Sequence, residues 1–118
     1  MAYSAPSDQT LLLTHATAIA IDGEAALLRG APGGGKSDLA LRLIDGGARL
    51  VADDQTKLRR AGDQLHASAP AEIAGKIEVR GLGILSLPEL AEARLRLVVD
   101  LVPAELVDRL PELAEETL

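Results

Sequence analysis

AALLRGAPGGGKSDLALRLID, at residues 25–45, is the stretch of sequence that decides the fold. Its middle, GAPGGGKS at residues 30–37, fits the phosphate-binding pattern G-x-x-x-x-G-K-[ST]. The apolar letters AALL before it are typical of a buried strand, and Leu39, Leu43 and Ile44 after it are spaced to share one face of a helix. A strand, a glycine-rich loop and a helix in this order predict an α/β protein with a phosphate-binding loop, or P-loop.

The residue types of this loop match the chemistry of binding a nucleoside triphosphate. Glycines let successive backbone N–H groups turn toward phosphate oxygens, and the helix N-terminus adds unpaired donors and partial positive charge. Lys36 is expected to reach the β- and γ-phosphates, and Ser37 to place its hydroxyl on a magnesium ion. The predicted cofactors are therefore ATP and Mg²⁺, and the predicted nucleotide contacts are Gly30, Ala31, Pro32, Gly33, Gly34, Gly35, Lys36 and Ser37. The alternative is a glycine-rich turn that caps a helix and binds nothing.

The composition narrows the classes of protein to consider. The 118 residues suffice for one domain, and the 47% hydrophobic content supports a packed core. A net charge of −6, with Tyr3 as the only aromatic residue, argues against nucleic-acid binding, which needs a basic face or stacking platforms. The absence of cysteine excludes disulfides and cysteine-ligated metals. Because no apolar run reaches about 20 residues and the N-terminus lacks a basic region, we expect a cytoplasmic protein without a membrane partner.

Alternating apolar and polar residues predict further elements around the loop. Residues 11–21 read as a strand, and Asp22-Gly23 predicts a hairpin turn into the strand that enters the loop. The other predictions are a helix ended by Gly46-Gly47, strands at 48–52 and 94–102, a hairpin about Gly62-Asp63, alternation over 76–87, a helical turn at 88–93, and a helix from Pro103 interrupted by Pro111. We therefore predict one domain with a mixed sheet over residues 11–118, after a polar lead-in at residues 1–10.

Acidic residues near the loop are candidates for the magnesium site and for a general base. Asp53 and Asp54 end an apolar strand, and a parallel neighbour of the loop's strand would bring them to the same sheet edge. Adjacent residues on an extended chain point to opposite sides, so one acid is expected to hold the metal and the other to accept a proton. Asp100 is a rival metal acid, or an ordinary strand-end residue. Asp38 either complements the helix dipole or contacts the metal.

Four separated blocks together resemble the catalytic domain of HPr kinase/phosphorylase, in the short form found in some proteobacteria. They are His15, GAPGGGKSD at 30–38, ARLVADD at 48–54, and IEVRGLGIL at 77–85. The last block resembles the family's own signature, which generic phosphate-loop proteins lack. On its own, a histidine in an apolar strand is more often structural, and the resemblance is what raises His15 to a site candidate. The resemblance implies a fold like that of phosphoenolpyruvate carboxykinase and the HPr kinase catalytic domain.

The resemblance also implies an activity and its partners. The family transfers the γ-phosphate of ATP to a serine of HPr, a carrier protein of the phosphotransferase system. It removes that phosphate by attack of inorganic phosphate, which yields pyrophosphate. The implied partner is therefore an HPr-like phosphocarrier protein, and the implied assembly is a homo-oligomer, which in the family is a hexamer.

Residue roles follow from the resemblance by position. Asp53 matches the acid that deprotonates the target serine and protonates it in reverse, and Asp54 matches its metal-side neighbour. His15 matches the family's active-site histidine, and Arg109 resembles an arginine that contacts phosphate. The implied catalytic residues are thus Asp53, His15 and Arg109, and the implied metal residues are Ser37, Asp38 and Asp54.

Two other functions use the same loop. A small-molecule kinase usually carries several arginines in a lid over its second substrate, whereas the arginines of this chain are scattered along the sequence. A non-catalytic nucleotide-binding regulator would keep the loop but has no use for a base beside it. The adjacent acids Asp53 and Asp54, together with His15, favour an enzyme over such a regulator.

Overall fold

Nine strands and one α-helix form the part of the chain that the computed structural model describes, which is residues 11–31, 35–79, 81–87 and 89–102. In chain order they are β1 (Leu11–Thr14), β2 (Thr17–Ile21), β3 (Glu24–Gly30), α1 (Lys36–Asp45), β4 (Arg49–Ala52), β5 (Thr56–Ala61), β6 (Gln64–Ser68), β7 (Lys76–Val79), β8 (Gly83–Ser86) and β9 (Glu92–Leu101). A short 3₁₀ turn at Ala71–Ile73 precedes β7. The lead-in at 1–10, residues 32–34 of the loop and the helix expected from Pro103 lie outside the described residues.

Seven strands form one mixed sheet in the order β1-β5-β6-β9-β3-β2-β4, and β7 pairs with β8 in a separate hairpin. Strands β3 and β9 are parallel, while every other hydrogen-bonded pair of the large sheet is antiparallel. The α/β class and the mixed sheet are therefore as the sequence predicts. However, β4 is not a neighbour of β3, because β2 lies between them and pairs antiparallel with both.

The two faces of the large sheet bury separate apolar clusters. On one face, α1 and the β7–β8 hairpin cover Ile19, Leu28 and Leu50, and Ile77 of β7 is buried in the same cluster. On the other face the sheet curls until β4 contacts β6, and it encloses a core rich in small side chains, which comprises Ala16, Ala18, Ala20, Ala25, Leu27, Val51, Leu58, Ala67 and Ala93. Alanine suits this inner face because short side chains let the curved strands approach closely.

Helix α1 begins and ends at glycines, as its sequence predicts. Gly35 precedes it with φ 96°, a left-handed conformation that glycine adopts without steric cost. At the other end, the N–H of Gly46 donates to the carbonyl oxygens of Arg42 and Leu43 at 3.2 and 3.1 Å. Ala40 is fully buried against the sheet. The helix therefore packs through its apolar face, and its N-terminus lies directly after the glycine-rich segment.

Two sequence predictions about secondary structure are wrong. Residues 11–21 are not one strand, because Thr14 pairs with Thr56 of β5 whereas Thr17 pairs with Leu28 of β3. The chain changes neighbours at His15, which lies in a bend. The helical turn at 88–93 is also absent from residues 89–93, since Leu90 N–H donates to the Leu50 carbonyl at 2.9 Å and β9 begins at Glu92.

Candidate active site

Three strands that run in the same direction end at one edge of the large sheet. Strands β3 and β9 end there as register partners, with Gly30 opposite Leu101. Strand β4 runs the same way as β3, because both are antiparallel to β2. The first residue of β2, Thr17, therefore lies between the end of β3 and the end of β4. The sequence correctly places the acids at the loop's edge, although β2 and not a direct β3–β4 pairing brings them there.

Asp53 is the centre of a hydrogen-bonded cluster at this edge. The Ser37 hydroxyl donates to Asp53 Oδ1 at 2.9 Å, and the Thr17 hydroxyl donates to the same oxygen at 3.1 Å. The backbone N–H of Glu78 donates to Asp53 Oδ2 at 3.1 Å. The Asp53 residue is buried, and both of its carboxylate oxygens accept hydrogen bonds. These contacts join the start of α1, the start of β2 and the β7–β8 hairpin through one carboxylate.

Asp54 lies beside Asp53 in a different environment. It is exposed, and its φ of 67° lies in the left-handed region that residues with a Cβ seldom occupy. The N–H of Gln55 donates to the Asp53 carbonyl at 2.7 Å across Asp54, which closes the strained form of the γ-turn. The N–H of Asp54 donates to the Thr17 hydroxyl at 3.1 Å. The two adjacent acids are thus one buried and one exposed, in keeping with the expectation that they differ in role.

Lys36 folds back over the start of the glycine-rich segment. Its ammonium donates to the carbonyl oxygen of Gly30 at 2.8 Å and to that of Ala31 at 3.4 Å. The residue is 92% buried, since its relative exposure is 8%. Positive charge, the N-terminal end of α1 and the Ser37 hydroxyl are therefore concentrated at the same place, where they suit an anionic ligand.

Gly30 packs closely against β9. A Cβ built on Gly30 would lie 3.1 Å from the carbonyl oxygen of Leu101 and 3.2 Å from its Cβ. A side chain at the first glycine of the segment would therefore crowd the neighbouring strand.

The other predicted site residues have varied surroundings. His15 is exposed, and it lies next to Ala16, whose carbonyl accepts a 2.9 Å hydrogen bond from the Thr56 hydroxyl, so the bend runs alongside the segment that carries the two acids. Asp38 is exposed in the first turn of α1. Arg109, Pro32, Gly33 and Gly34 lie outside the described residues, and no contact is assigned to them.

Asp100, the rival metal candidate, is paired with Arg29, and this ion pair gives the acid a structural role. Arg29 donates to both of its carboxylate oxygens, at 2.7 and 2.9 Å. These hydrogen bonds, and then the positive charge of Arg29, hold the pKa of Asp100 below its ordinary value, while partial burial acts in the opposite direction. We therefore do not include Asp100 among the candidate metal residues.

Two residues of the Asp53 cluster, Thr17 and Glu78, carry no local sequence signal that marks them as site residues. Thr17 lies within the strand predicted over residues 11–21, and Glu78 lies within the block at 77–85. Both contacts span long distances in the chain, since Thr17 lies 36 residues and Glu78 lies 25 residues from Asp53. A β-branched polar residue at the first position of a strand is too common a pattern to have singled out Thr17.

The donor atoms fit a magnesium ion held together with a ligand's phosphates. Mg²⁺ is usually bound by one or two carboxylates with waters and phosphate oxygens, and not by an all-protein cage. The Ser37 hydroxyl oxygen and the Asp53 carboxylate lie together just after the glycine-rich segment. Among the described residues, no group of three or more histidine, cysteine or acidic side chains could hold a metal by itself. That same part of the chain contains no helix long and apolar enough to cross a bilayer.

Comparison with known proteins places this geometry in a family. The family model described as HPr Serine kinase C-terminal domain matches residues 9–116. An Exiguobacterium protein named HPr kinase/phosphorylase is 45% identical over 74 residues, which are 62% of this chain and 24% of the relative. One from Geobacillus kaustophilus is 40% identical over 107 residues, which cover 81% of this chain and 34% of the relative. The chain thus spans about a quarter to a third of these curated relatives.

A solved structure agrees with the sequence relatives. The Hpr(Ser) kinase/phosphatase from Coxiella burnetii superposes with a TM-score of 0.77 at 32% identity. The superposition covers 82% of this chain and 69% of the solved chain. The fold is therefore shared with a protein described as a kinase and phosphatase.

Proposed function

The chain belongs to the HPr serine kinase C-terminal domain family, and we propose that it binds ATP with magnesium and phosphorylates a serine of an HPr-like carrier protein. We propose in addition that it removes this phosphate by phosphorolysis. The observation that carries the proposal is the 2.9 Å hydrogen bond from Ser37 to Asp53, one residue after the buried Lys36. A lysine, a hydroxyl and a carboxylate at a helix N-terminus are the groups that phosphoryl transfer requires for positioning and charge neutralisation.

The glycine-rich segment acts as the phosphate-binding loop in this proposal. Lys36 now donates to two carbonyl oxygens, and a phosphate is a stronger acceptor than a carbonyl because its oxygens are charged. Nucleotide binding would therefore redirect the Lys36 ammonium from the backbone to the β- and γ-phosphates. Backbone N–H groups at the start of α1 would bind the same phosphates.

Ser37 and Asp53 would hold the magnesium ion. Both residues supply oxygen atoms at the edge of the sheet where the glycine-rich segment begins. The backbone N–H of Glu78, on the β7–β8 hairpin, donates to Asp53, and the Glu78 side chain is exposed. When bound, magnesium neutralises charge on the transferring phosphate. Asp38, which the sequence also predicts at the metal, lies exposed one residue after Ser37 and stays a prediction.

We propose that Asp54 is the general base, which exchanges the roles that the family resemblance implies for the two acids. Asp53 is buried and both of its oxygens accept hydrogen bonds within the protein, so it is poorly placed to meet an incoming serine. Asp54 is exposed at the same edge. A base must come within hydrogen-bond reach of the proton that it accepts, and the exposed acid meets this condition more readily.

The chemical steps then balance in both directions. The acceptor serine oxygen attacks the γ-phosphorus, its proton passes to Asp54, and the bond to the β-phosphate oxygen breaks to leave ADP. In the phosphorolysis, an oxygen of inorganic phosphate attacks the phosphoserine phosphorus and the bond from that phosphorus to the serine oxygen breaks. Asp54 returns the proton to the departing serine oxygen, and pyrophosphate is the product. His15 remains a predicted active-site residue, and Arg109 remains a predicted phosphate contact.

Phosphate transfer from γ-labelled ATP tests this proposal. An HPr-like carrier and its Ser→Ala version are offered side by side with magnesium. We expect label on the serine carrier only, loss of transfer with Asp54→Asn while magnesium-ATP still binds, and weakened magnesium-dependent binding with Asp53→Asn. Tight nucleotide binding by the wild-type chain without transfer would instead favour a nucleotide-binding regulator. Transfer that survives Asp54→Asn would remove that residue as the base.

A further inference from the structure

Thr17 is the one residue among the described ones whose side chain is hydrogen-bonded to both members of the acidic pair. Its hydroxyl donates to Asp53 Oδ1 at 3.1 Å and accepts the N–H of Asp54, also at 3.1 Å. Thr17 has 0% relative exposure. No solvent therefore competes for the hydroxyl, and each hydrogen bond forms in a low-dielectric setting that strengthens it.

A buried hydroxyl at this position is not required by strand packing. Valine has nearly the same shape and a high strand propensity, and it would avoid the cost of burying a polar group. Neighbouring β2 positions that face the same cores are indeed apolar, namely Ala18, Ile19 and Ala20. The hydroxyl therefore has a specific task, which its two partners identify.

We propose that Thr17 is a positioning residue for phosphoryl transfer, which fixes the orientation of Asp53 and the backbone of Asp54 at the same time. This inference rests on the proposed function of the site. As a donor, the Thr17 hydroxyl binds the same Asp53 oxygen, Oδ1, that the Ser37 hydroxyl binds. These two hydrogen bonds together orient the carboxylate toward the start of α1. As an acceptor, it anchors the strained turn whose central residue is Asp54, with φ 67°.

Thr17→Val should disturb both acids while preserving the packing of β2. Asp53 would lose one of its three donors, and the Asp54 N–H would lose its acceptor. A positive φ at a residue other than glycine persists only where its surroundings hold it. Without the Thr17 hydroxyl, the Asp54 turn can relax and carry the exposed carboxylate away from the acceptor serine.

Thr56 provides a matched control. It is also a threonine with 0% exposure at the first position of a strand, and its hydroxyl donates to the Ala16 carbonyl at 2.9 Å. It is not hydrogen-bonded to either acid by its side chain in the described structure. Thr56→Val therefore removes a buried hydroxyl next to the site without removing a contact to Asp53 or Asp54.

The experiment measures steady-state transfer to the carrier, and amide hydrogen exchange at Asp54 by NMR, in Thr17→Val, Thr17→Ser and Thr56→Val. We expect Thr17→Val to lower kcat by about 10²-fold with KM for ATP changed less than about twofold. Thr17→Ser should recover kcat to within about threefold, because it restores the hydroxyl, and Thr56→Val should also stay within about threefold. Exchange at Asp54 should accelerate about tenfold or more in Thr17→Val alone.

The two readouts separate this inference from the proposed function. Equal losses of kcat in Thr17→Val and Thr56→Val, or unchanged Asp54 exchange in Thr17→Val, would overturn the positioning role. If the wild-type chain transfers no phosphate, the proposed function fails. In that case, faster amide exchange at Asp54 in Thr17→Val still supports the conclusion that the Thr17 hydroxyl fixes the Asp53–Asp54 segment. Unchanged exchange overturns that conclusion.

Discussion

Arg29 and Asp100 lie opposite each other on the parallel strands β3 and β9 and form a two-pronged ion pair, with Nε–Oδ1 and Nη2–Oδ2 distances of 2.7 and 2.9 Å. Each residue immediately precedes a member of the tight Gly30–Leu101 contact. The planar guanidinium matches a carboxylate in this geometry and resists rotation. The ion pair therefore joins the strand that enters the glycine-rich segment to its parallel neighbour.

Asp100→Asn is predicted to lower stability modestly and in a pH-dependent way. The side chains are 29% and 54% exposed, so solvent screening limits the contribution to about 0.5 kcal/mol at pH 7. Because the pKa of Asp100 is lowered on folding, the stabilisation is complete above the ordinary aspartate value of about 4 and is lost as the pH falls through the lower folded value. Urea unfolding of both proteins at pH 7 and at successively lower pH measures this difference.

Glu24→Gln is the control for that prediction. Glu24 and Arg96 form a single 3.6 Å contact between side chains that are about half exposed. Its loss should change stability by less than about 0.3 kcal/mol at any pH. An Asp100→Asn difference that persists or grows at low pH would show that the effect is not electrostatic.

Gly30→Ala is predicted to destabilise the fold itself, apart from any effect on ligand binding. The new methyl group would approach the Leu101 backbone oxygen to 3.1 Å, and a backbone atom cannot move aside as a flexible side chain can. Overpacking of this kind costs about 1–3 kcal/mol, which a fall in the thermal midpoint of unfolding would reveal.

Gly46→Ala is the matched variant at the other end of the loop–helix unit. Gly46 has φ −86°, which alanine accepts, and its Cβ would find no atom closer than 3.5 Å. We expect it to be neutral or to stabilise the protein by about 0.4–1 kcal/mol through the unfolded chain. Equal destabilisation by both substitutions would contradict the packing argument for Gly30.

Ser37→Ala is predicted to remove the magnesium dependence of nucleotide binding and to leave the magnesium-independent affinity for ATP unchanged. The hydroxyl is the only part of Ser37 that reaches Asp53, at 2.9 Å, whereas the phosphate contacts proposed for Lys36 and the helix N-terminus do not need it. Calorimetric titration should show ATP affinity in magnesium reduced by about tenfold, with affinity in EDTA unchanged. A parallel loss of affinity in EDTA would mean that Ser37 acts on the phosphates or the loop, and not through a metal.

The local elements of the fold could be predicted because their signals are contained within short windows. The apolar spacing after Lys36 and the paired glycines at 46–47 predicted α1 correctly, and Asp22-Gly23 and Gly62-Asp63 correctly marked two hairpins. The family could be recognised for a related reason. Its blocks at 30–38, 48–54 and 77–85 each place chemically demanding residue types in a fixed local order.

The predictions that failed all depended on strand neighbours. Nothing local distinguishes a continuous strand over 11–21 from two strands that change partners at His15, because the first of the two pairs with β5, far along the chain, where Thr14 lies opposite Thr56. Likewise, residues 89–93 have the composition of a helical turn, yet the backbone of Leu50 takes the Leu90 N–H instead. Hydrogen bonding to a distant strand overrides weak local propensity in both cases.

By itself, the sequence determined the chemistry at this sheet edge: a glycine-rich segment with Lys36 and Ser37 before a helix, and two acids at the end of another strand. Only the tertiary structure decided how these parts meet. The insertion of β2 between β3 and β4 brings Thr17 beside Asp53, buries that acid among three donors and leaves Asp54 exposed. Side-chain environment depends on which strands lie next to one another, and strand order is set by burial of the whole sheet and not by any short stretch of residues.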